Sequence, residues 1–176
     1  MPKTLLHLLI AVALLSLLAC SGKDKAQAPA QPVAETRAVI NDYAIRNLDR
    51  TPQSTTEEIA RHRITIIDIW ASWCGPCMRE MPNLVALHSE YADRGLGIIG
   101  ISLDEDYNSW KQAIDQNGMT WLQLSDLRGW DTPIVEDYAI NAIPHTIVVD
   151  QKGTILQTGL RGEGLAAFVR QQLGAK

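Results

Sequence analysis

The sequence predicts an α/β domain in which helices flank a mixed central β-sheet. Residues 64–70 form a β-branched run that is apolar on both faces, which is typical of a central strand in a covered sheet. A helix and a second strand follow this run, and two strands joined by a tight turn and then a helix end the chain. A βαβ unit followed by a ββα unit needs both parallel and antiparallel pairing in one sheet.

The other elements are predicted in order along the chain. The folded part begins near Val39, and a hairpin of residues 43–48 with the residues around Pro52 turns at Asp49-Arg50. One turn of helix follows at 55–60. Apolar spacing predicts the remaining elements, which are helices over 77–94, 107–116, 134–138 and 162–173 and strands over 97–103, 121–124, 143–150 and 154–159.

Composition argues against two classes of protein. The 176 residues include 16 Lys and Arg against 20 Asp and Glu, so the formal net charge is −4, and no basic cluster offers a surface for nucleic acid. Three cysteines form too few disulfide bonds to stabilise a chain of this length, so a hydrophobic core of ordinary size must stabilise it. We therefore expect one monomeric globular domain that does not bind nucleic acid.

The N-terminus has the pattern of an export signal. Lys3 is the only charged residue among the first 19, and residues 5–19 form an apolar run that only His7 and Ser16 interrupt. Because a membrane-spanning helix needs about 20 apolar residues, a cleaved signal peptide is favoured over a span.

The end of this apolar run, Leu17-Leu18-Ala19-Cys20, resembles the lipobox of bacterial lipoproteins, in which the cysteine is lipidated and becomes the first residue after cleavage. The resemblance implies a signal peptide at 1–19, a lipidated Cys20 with a flexible polar linker at 20–38, and a globular domain at 39–176. The alternatives are a chance cysteine in an ordinary signal peptide or at the end of a retained anchor. Each of them still exports the domain.

A cysteine pair lies where the central strand ends and the long helix begins, in the motif Trp73-Cys74-Gly75-Pro76-Cys77. Backbone N–H groups and the positive end of the helix favour a thiolate on Cys74, whereas Cys77 lies one turn into the helix, shielded but within reach. We therefore expect Cys74 to attack a substrate disulfide and Cys77 to resolve the mixed disulfide, which leaves the pair oxidised. This redox-active pair needs no bound cofactor.

Two other interpretations of the pair are open. Half of a zinc site would need two further ligands, and the only other cysteine lies in the export signal, which leaves His62, His88 and His145 as donors. Two unrelated core thiols are the other alternative. The Gly-Pro pair between the cysteines suits a tight turn into a helix, which favours redox chemistry and predicts no metal site.

The surroundings of the pair resemble the thioredoxin active site, in which W-C-G-P-C follows an apolar strand and a proline, here Pro82, lies five residues beyond the second cysteine. The stretch Cys77-Met78-Arg79-Glu80-Met81-Pro82 with an exported anchor is similar to the TlpA/ResA group of membrane-tethered thiol:disulfide oxidoreductases. The resemblance covers residues 39–176. It implies a thioredoxin-like fold in which residues 107–138 are the inserted strand and helix of that group.

Asp68 lies inside the apolar strand, where an ionised carboxylate is costly to bury unless it is paired. Thioredoxins have a buried aspartate at the matching place that exchanges a proton with the resolving cysteine, and the resemblance implies this proton transfer for Asp68. Many relatives in the tethered group have asparagine there instead. We expect burial to raise the pKa of Asp68, and an aspartate that faces solvent is the alternative.

The resemblance also implies a substrate-binding surface beside the cysteines, made of Trp73, Gly75, Pro76, Ile143 and Pro144. A cis peptide bond is expected before Pro144, in the loop that pairs with an extended client segment. His145 stands where the family often has threonine, and a structural role is favoured for it over tuning of a thiolate or binding of metal.

Other charged and aromatic residues carry weaker signals. Arg79 and Glu80 match the tethered group's pattern but are assigned no catalytic work, since on the helix they fit a solvated face. Trp70 is as compatible with core packing as with substrate contact. The tryptophans of the inserted segment, which fill the core or line a specificity surface, are Trp110, Trp121 and Trp130.

The resemblance implies a lipid-anchored reductase that faces the periplasm or another extracytoplasmic space of a bacterial cell envelope. Its partners are client proteins with disulfides or cysteines and a transmembrane electron donor. A disulfide-forming or isomerising oxidant is the alternative direction. A copper carrier that uses the cysteine pair and a histidine is less compatible, because such carriers favour C-x-x-x-C spacing. A thiol peroxidase is less compatible because it has Thr or Ser where Ala71 stands.

Overall fold

The computed structural model describes residues 38–174. The predicted signal peptide, the lipidation of Cys20 and nearly all of the predicted linker lie outside the described residues. Within residues 38–174, no helix combines the length and the apolar character that crossing a bilayer requires.

Strands and helices alternate along most of this part of the chain. The strands are β1 Ala44–Arg46, β2 Pro52–Ser54, β3 Ile64–Trp70, β4 Leu96–Ser102, β5 Leu122–Leu124, β6 His145–Asp150 and β7 Ile155–Thr158. The α-helices are α1 Thr55–Ile59, α2 Gly75–Tyr91, α3 Tyr107–Asn117, α4 Pro133–Asp137 and α5 Gly162–Leu173. Short 3-10 turns cover Ala92–Arg94 and Gly129–Asp131.

The central sheet has the strand order β5-β4-β3-β6-β7. Strands β3, β4 and β5 are parallel, whereas β6 runs antiparallel to both β3 and β7. Strands β1 and β2 form a separate antiparallel hairpin. The predicted mixed sheet and N-terminal hairpin are therefore confirmed. Every residue of β3 and β4 is buried, as expected for a doubly apolar run in the middle of a covered sheet.

Helix α2 differs from its predicted bounds at both ends. It begins at Gly75 because Cys74 acts as its N-cap. Pro76 fits the first turn, because backbone N–H groups there have no partner within the helix and proline has no N–H. It ends at Tyr91 because the chain tightens into a 3-10 turn that stops at Gly95, whose φ of 99° is rarely adopted by residues with a side chain. The N-terminal shift places both cysteines in the capped end of the helix.

The remaining elements match their predicted bounds closely. Helix α5 spans the predicted residues, α4, β4 and β7 differ by one residue at each end, and β5 differs by one residue at its start. Strand β6 begins at His145 instead of residue 143, since Pro144 has no N–H to donate to the sheet. Helix α2 buries Met81, Leu84 and Leu87 in the core and packs beside α5. This packing fixes the N-terminal end of α2 at the carboxyl end of β3.

Candidate active site

Cys74 and Cys77 form a disulfide, with their Cα atoms 5.2 Å apart. The Cys77 N–H also donates a hydrogen bond of 3.1 Å to the Cys74 Sγ, so the backbone of the first helical turn points at this sulfur. After reduction, that N–H and the helix dipole stabilise a thiolate on Cys74. Cys74 keeps 5% of its surface exposed and Cys77 none, so Cys74 is the more accessible of the two residues.

The loop before Cys74 is anchored by Asp104, which the sequence analysis does not single out. Asp104 follows β4, is buried, and accepts hydrogen bonds from the Ser72 N–H at 3.0 Å and the Ser72 hydroxyl at 2.5 Å. The Ser102 hydroxyl donates a third bond to it at 2.6 Å. The carboxylate thus ties the segment that leads into Trp73 to the neighbouring strand. A single aspartate after an apolar strand belongs to no sequence motif, so this contact could not be predicted from the sequence.

Asp68 is buried in β3, with 1% of its surface exposed, and neither of its carboxylate oxygens has a hydrogen-bond partner among the described residues. Loss of hydration, and to a smaller extent the negative charge of Glu80, raise the pKa of Asp68 from 3.8 to about 7. A carboxyl group with a pKa in this range exchanges protons readily at neutral pH. Asp68 therefore has the burial and the pKa shift that its strand position indicates.

Glu80 takes part in the site, although the sequence analysis assigns it to a solvated face. Its side chain is half-buried, and its Oε1 accepts a hydrogen bond of 2.7 Å from the Gly162 N–H at the start of α5. Because residues three apart share a face of a helix, Glu80 lies on the same side of α2 as Cys77. The negative charge of Glu80 also contributes to the raised pKa of Asp68. The three-residue spacing from Cys77 is the signal that could have identified Glu80.

Arg79, which the sequence analysis also assigns to a solvated face, is exposed. Its guanidinium nevertheless lies over the active-site turn, with Nη1 3.6 Å from the position that a Cβ atom would occupy on Gly75. This brings a positive charge to the turn between the two cysteines.

The predicted substrate-binding residues differ in their exposure. Gly75 and Pro76 are exposed, Ile143 is half-buried and Pro144 is buried. The Ile143–Pro144 peptide bond is cis, as the family resemblance implies. His145 is half-buried; burial, and then the charge of Arg161, lower its pKa. Among the described residues, no three His, Cys, Asp or Glu side chains are grouped closely enough to hold a metal ion.

The tryptophans separate into core and surface residues. Trp70 is buried and its Nε1 donates to the Gln123 Oε1 at 3.2 Å, so it packs in the core. Trp110 and Trp121 of the inserted segment are buried as well. Trp73 and Trp130 are exposed, so one of the three tryptophans in the insertion lies at the surface. Sequence alone left these alternatives open.

Fold and site together define a class of protein, a thioredoxin-fold domain with a cysteine pair suited to thiol–disulfide exchange. The chain belongs to the Redoxin family, whose model matches residues 27–166. The thioredoxin-like protein YneN of Bacillus subtilis is 31% identical over 117 residues, which are 65% of each chain. The thiol-disulfide oxidoreductase ResA of Halalkalibacterium halodurans is 28% identical over 96 residues, which are 54% of this chain and 53% of its own.

A solved structure extends the comparison to the whole domain. A thiol-disulfide oxidoreductase from Bacteroides fragilis matches with a TM-score of 0.72 and 29% identity, covering 77% of this chain and 100% of that one. The chain thus covers less than two thirds of the length of either curated relative, but the entire length of this solved protein. These matches confirm the predicted thioredoxin-like fold, and ResA and the Bacteroides fragilis protein are themselves named thiol-disulfide oxidoreductases.

Proposed function

We propose that this protein is a monomeric, extracytoplasmic, lipid-anchored thiol:disulfide oxidoreductase that reduces disulfides in client proteins. The observation that carries the proposal is the cysteine pair at the N-terminus of α2, with Cys74 slightly exposed and Cys77 fully buried. Asp68 is buried in β3, the strand that leads into this pair. An attacking thiolate, a resolving thiol and a nearby proton acceptor are the groups that thiol–disulfide exchange requires.

In the reducing direction, the Cys74 thiolate attacks one sulfur of a client disulfide, which forms a mixed disulfide and releases the other client sulfur as a thiolate. Cys77 then gives its proton to Asp68, and the Cys77 thiolate attacks the Cys74 Sγ. The client leaves with both sulfurs reduced, and the Cys74–Cys77 disulfide is formed. Two electrons pass to the client, and a transmembrane electron donor returns two electrons to the pair.

The reduction potential of the Cys74–Cys77 pair tests the direction of this reaction. We would equilibrate the full-length protein, in detergent, against glutathione and dithiothreitol buffers. A potential near that of thioredoxin, about −270 mV, supports a reductase, whereas one near that of DsbA, about −120 mV, indicates a disulfide-forming or isomerising protein. If the two thiols formed no reversible disulfide, the redox function would be wrong, and metal binding by Cys74, Cys77 and a histidine would be tested next.

The role of Asp68 is tested by the pH dependence of client reduction. A proton acceptor with a pKa of about 7 predicts a rate that changes across neutral pH. In Asp68→Asn this change should disappear, because the amide neither accepts nor releases the proton. An unaltered pH profile in Asp68→Asn would remove Asp68 from the mechanism and leave the cysteine chemistry intact.

The lipid anchor is supported by the lipobox-like Leu17-Leu18-Ala19-Cys20 and the polar stretch after it. Radiolabelled palmitate should enter the wild-type protein and the matched variant Cys77→Ser, but not Cys20→Ser. The Cys20→Ser protein should also be lost from the membrane fraction, since two or more acyl chains make an attachment stable. Labelling that persists in Cys20→Ser would contradict the anchor without affecting the proposed chemistry.

A further inference from the structure

Two of the three large apolar side chains that are exposed in residues 38–174 line the same groove. Trp73 is 58% exposed and Trp130 43%, while the third such residue, Val39, lies before β1. The groove has a volume of about 550 Å³. We call it the tryptophan groove and define it by Ser72, Trp73, Leu103, Glu105, Asp106 and Trp130. Trp73, one wall of the tryptophan groove, directly precedes Cys74 in the chain.

Both walls of the groove are held by specific contacts. On one side, Asp104 binds the N–H and the hydroxyl of Ser72 and so fixes the segment that leads into Trp73. On the other side, Gly129 has a φ of 60°, and a Cβ there would lie 2.6 Å from the Glu105 Oε1. The Glu105 carboxylate therefore packs against the turn that precedes Trp130. A side chain at position 129 would prevent this packing.

The rim of the groove is acidic. Glu105 and Asp106 are exposed, and neither belongs to any ion pair formed within the described part of the chain. Asp106 accepts hydrogen bonds from the N–H and the hydroxyl of Ser109, which lower its pKa. Arg128 lies beyond Trp130, in a separate hollow that also contains Asp131 and Glu136. The apolar walls thus face solvent next to two carboxylates that form no ion pair within the described residues.

We propose that the tryptophan groove binds a client segment that carries an aromatic or aliphatic side chain and a Lys or Arg next to the cysteine under attack. This inference rests on the proposed function and gives its site a substrate class, proteins with basic and apolar residues flanking the disulfide. The apolar side chain contacts the indoles of Trp73 and Trp130, and the client cation lies near Glu105 and Asp106. Charge pairing at an exposed rim acts mainly on the rate of association.

Matched peptides test the preference. Two cyclic peptides of equal length each contain one disulfide. They differ only in the two residues that flank the first cysteine, which are Trp-Lys in one peptide and Ala-Glu in the other. The small uncharged reference is bis(2-hydroxyethyl) disulfide. The second-order rate constant for each is measured by stopped flow with the reduced full-length protein in detergent. We expect the Trp-Lys peptide to react roughly tenfold faster than the Ala-Glu peptide, as one aromatic contact and one charge contact suggest.

Variants locate the preference in the groove. Trp130→Ala should reduce the ratio of the two peptide rates by about fivefold, because it removes one apolar wall. Glu105→Gln should weaken the dependence of the Trp-Lys rate on salt, since screening acts on that charge. The matched control is Val39→Ala, which removes the exposed apolar residue outside the groove and should leave the ratio unchanged.

The outcomes separate this inference from the proposed function. Equal rates for the two peptides, or a ratio that Trp130→Ala leaves intact, would overturn the groove assignment, while reduction of bis(2-hydroxyethyl) disulfide would still support the function. If none of the three disulfides were reduced, the function and the inference would both fail. A wild-type dimer in sedimentation that Trp130→Ala converts to a monomer would overturn the inference in favour of a second copy of the chain.

Discussion

Asp104 holds Ser72 by two hydrogen bonds, one from the backbone N–H at 3.0 Å and one from the hydroxyl at 2.5 Å, two residues before Cys74. The carboxylate belongs to the segment after β4, whereas the serine belongs to the loop after β3. The two parallel strands are therefore linked at their carboxyl ends by side chains as well as by the sheet. The position of the active-site loop depends on a residue that is far from it in sequence.

Asp104→Ala should destabilise the oxidised protein by about 2–3 kcal/mol, because it leaves the half-buried N–H and hydroxyl of Ser72 and the buried hydroxyl of Ser102 without their acceptor. Asp104→Asn keeps one acceptor oxygen and should cost about 1 kcal/mol. Urea unfolding measures both. The matched control is Asp115→Ala, whose carboxylate is exposed at the end of α3, where an ion pair with Lys111 contributes little. An Asp104→Ala protein as stable as the Asp115→Ala protein would contradict the anchoring role.

Glu80→Gln should shift the pH profile of disulfide reduction to lower pH. The charge of Glu80 adds to the effect of burial in raising the pKa of Asp68, so its removal should lower that pKa. Glutamine keeps an oxygen that accepts from the Gly162 N–H, which preserves the contact with α5. The measurement is the rate of client reduction from about pH 5 to about pH 9.

The control for this experiment is Glu90→Gln, an exposed position on the same helix. It removes the same charge far from Cys77 and should leave the profile at its wild-type position. If Glu80→Gln and Glu90→Gln gave the same profile, the influence of Glu80 on Asp68 would be wrong.

Most of the fold follows from local pattern. The continuous apolar run of β3 and the helical spacing in α5 predict those elements at their observed bounds, because each pattern fits one type of burial. The start of α2 is predicted less well, since its N-cap is Cys74, a residue type outside the usual capping set. Its end depends on the left-handed conformation of Gly95, which leaves no periodic signal.

The site divides in a similar way. Cys74 and Cys77 are identified by a short motif, and the burial of Asp68 follows from the strand around it. The contact of Ser72 with Asp104 joins residues 32 positions apart, and no local pattern encodes such a pair. Exposure of Trp130 could not be predicted either, because tryptophans in an insertion pack in the core as readily as they line a surface.

Gly100→Ala tests a close contact inside the sheet. Gly100 on β4 lies opposite Asp68 in the register, and a Cβ on Gly100 would be 2.2 Å from the Gln123 Oε1. Alanine would displace this buried amide and break its hydrogen bond from the Trp70 Nε1. We expect a loss of about 1–3 kcal/mol in the free energy of unfolding.

A second glycine provides the comparison for Gly100. Gly164 lies in α5, and a Cβ there would have no atom of another described residue within 4 Å, apart from the backbone of its own helix and its chain neighbours. Gly164→Ala should therefore change stability in the opposite direction, by up to about 1 kcal/mol, because alanine has the higher helix propensity. Urea unfolding of both variants gives the result. A Gly100→Ala protein that is as stable as the wild type would mean that Gln123 moves aside without cost.

Burial of Asp68 makes the stability of the protein depend on pH. Its pKa rises from 3.8, the ordinary value, to about 7 in the folded state. Between these values the folded state binds the proton more tightly than the unfolded chain, so the free energy of unfolding falls as the pH rises and levels off above the folded pKa. Asp68→Asn has a similar shape and does not ionise, so it should remove this decline.

We therefore expect Asp68→Asn and the wild type to be about equally stable near pH 4, and the variant to be more stable near pH 8 by on the order of a few kcal/mol. The measurement is urea unfolding of the oxidised proteins at both pH values. Asp115→Asn, an exposed carboxylate, controls for the loss of one negative charge and should keep the wild-type pH dependence. If Asp68→Asn kept it too, the Asp68 carboxyl group would have to be ionised in the folded protein as readily as in water. Asp68 is buried and has no hydrogen-bond partner within residues 38–174, so an ionised carboxylate there would be costly.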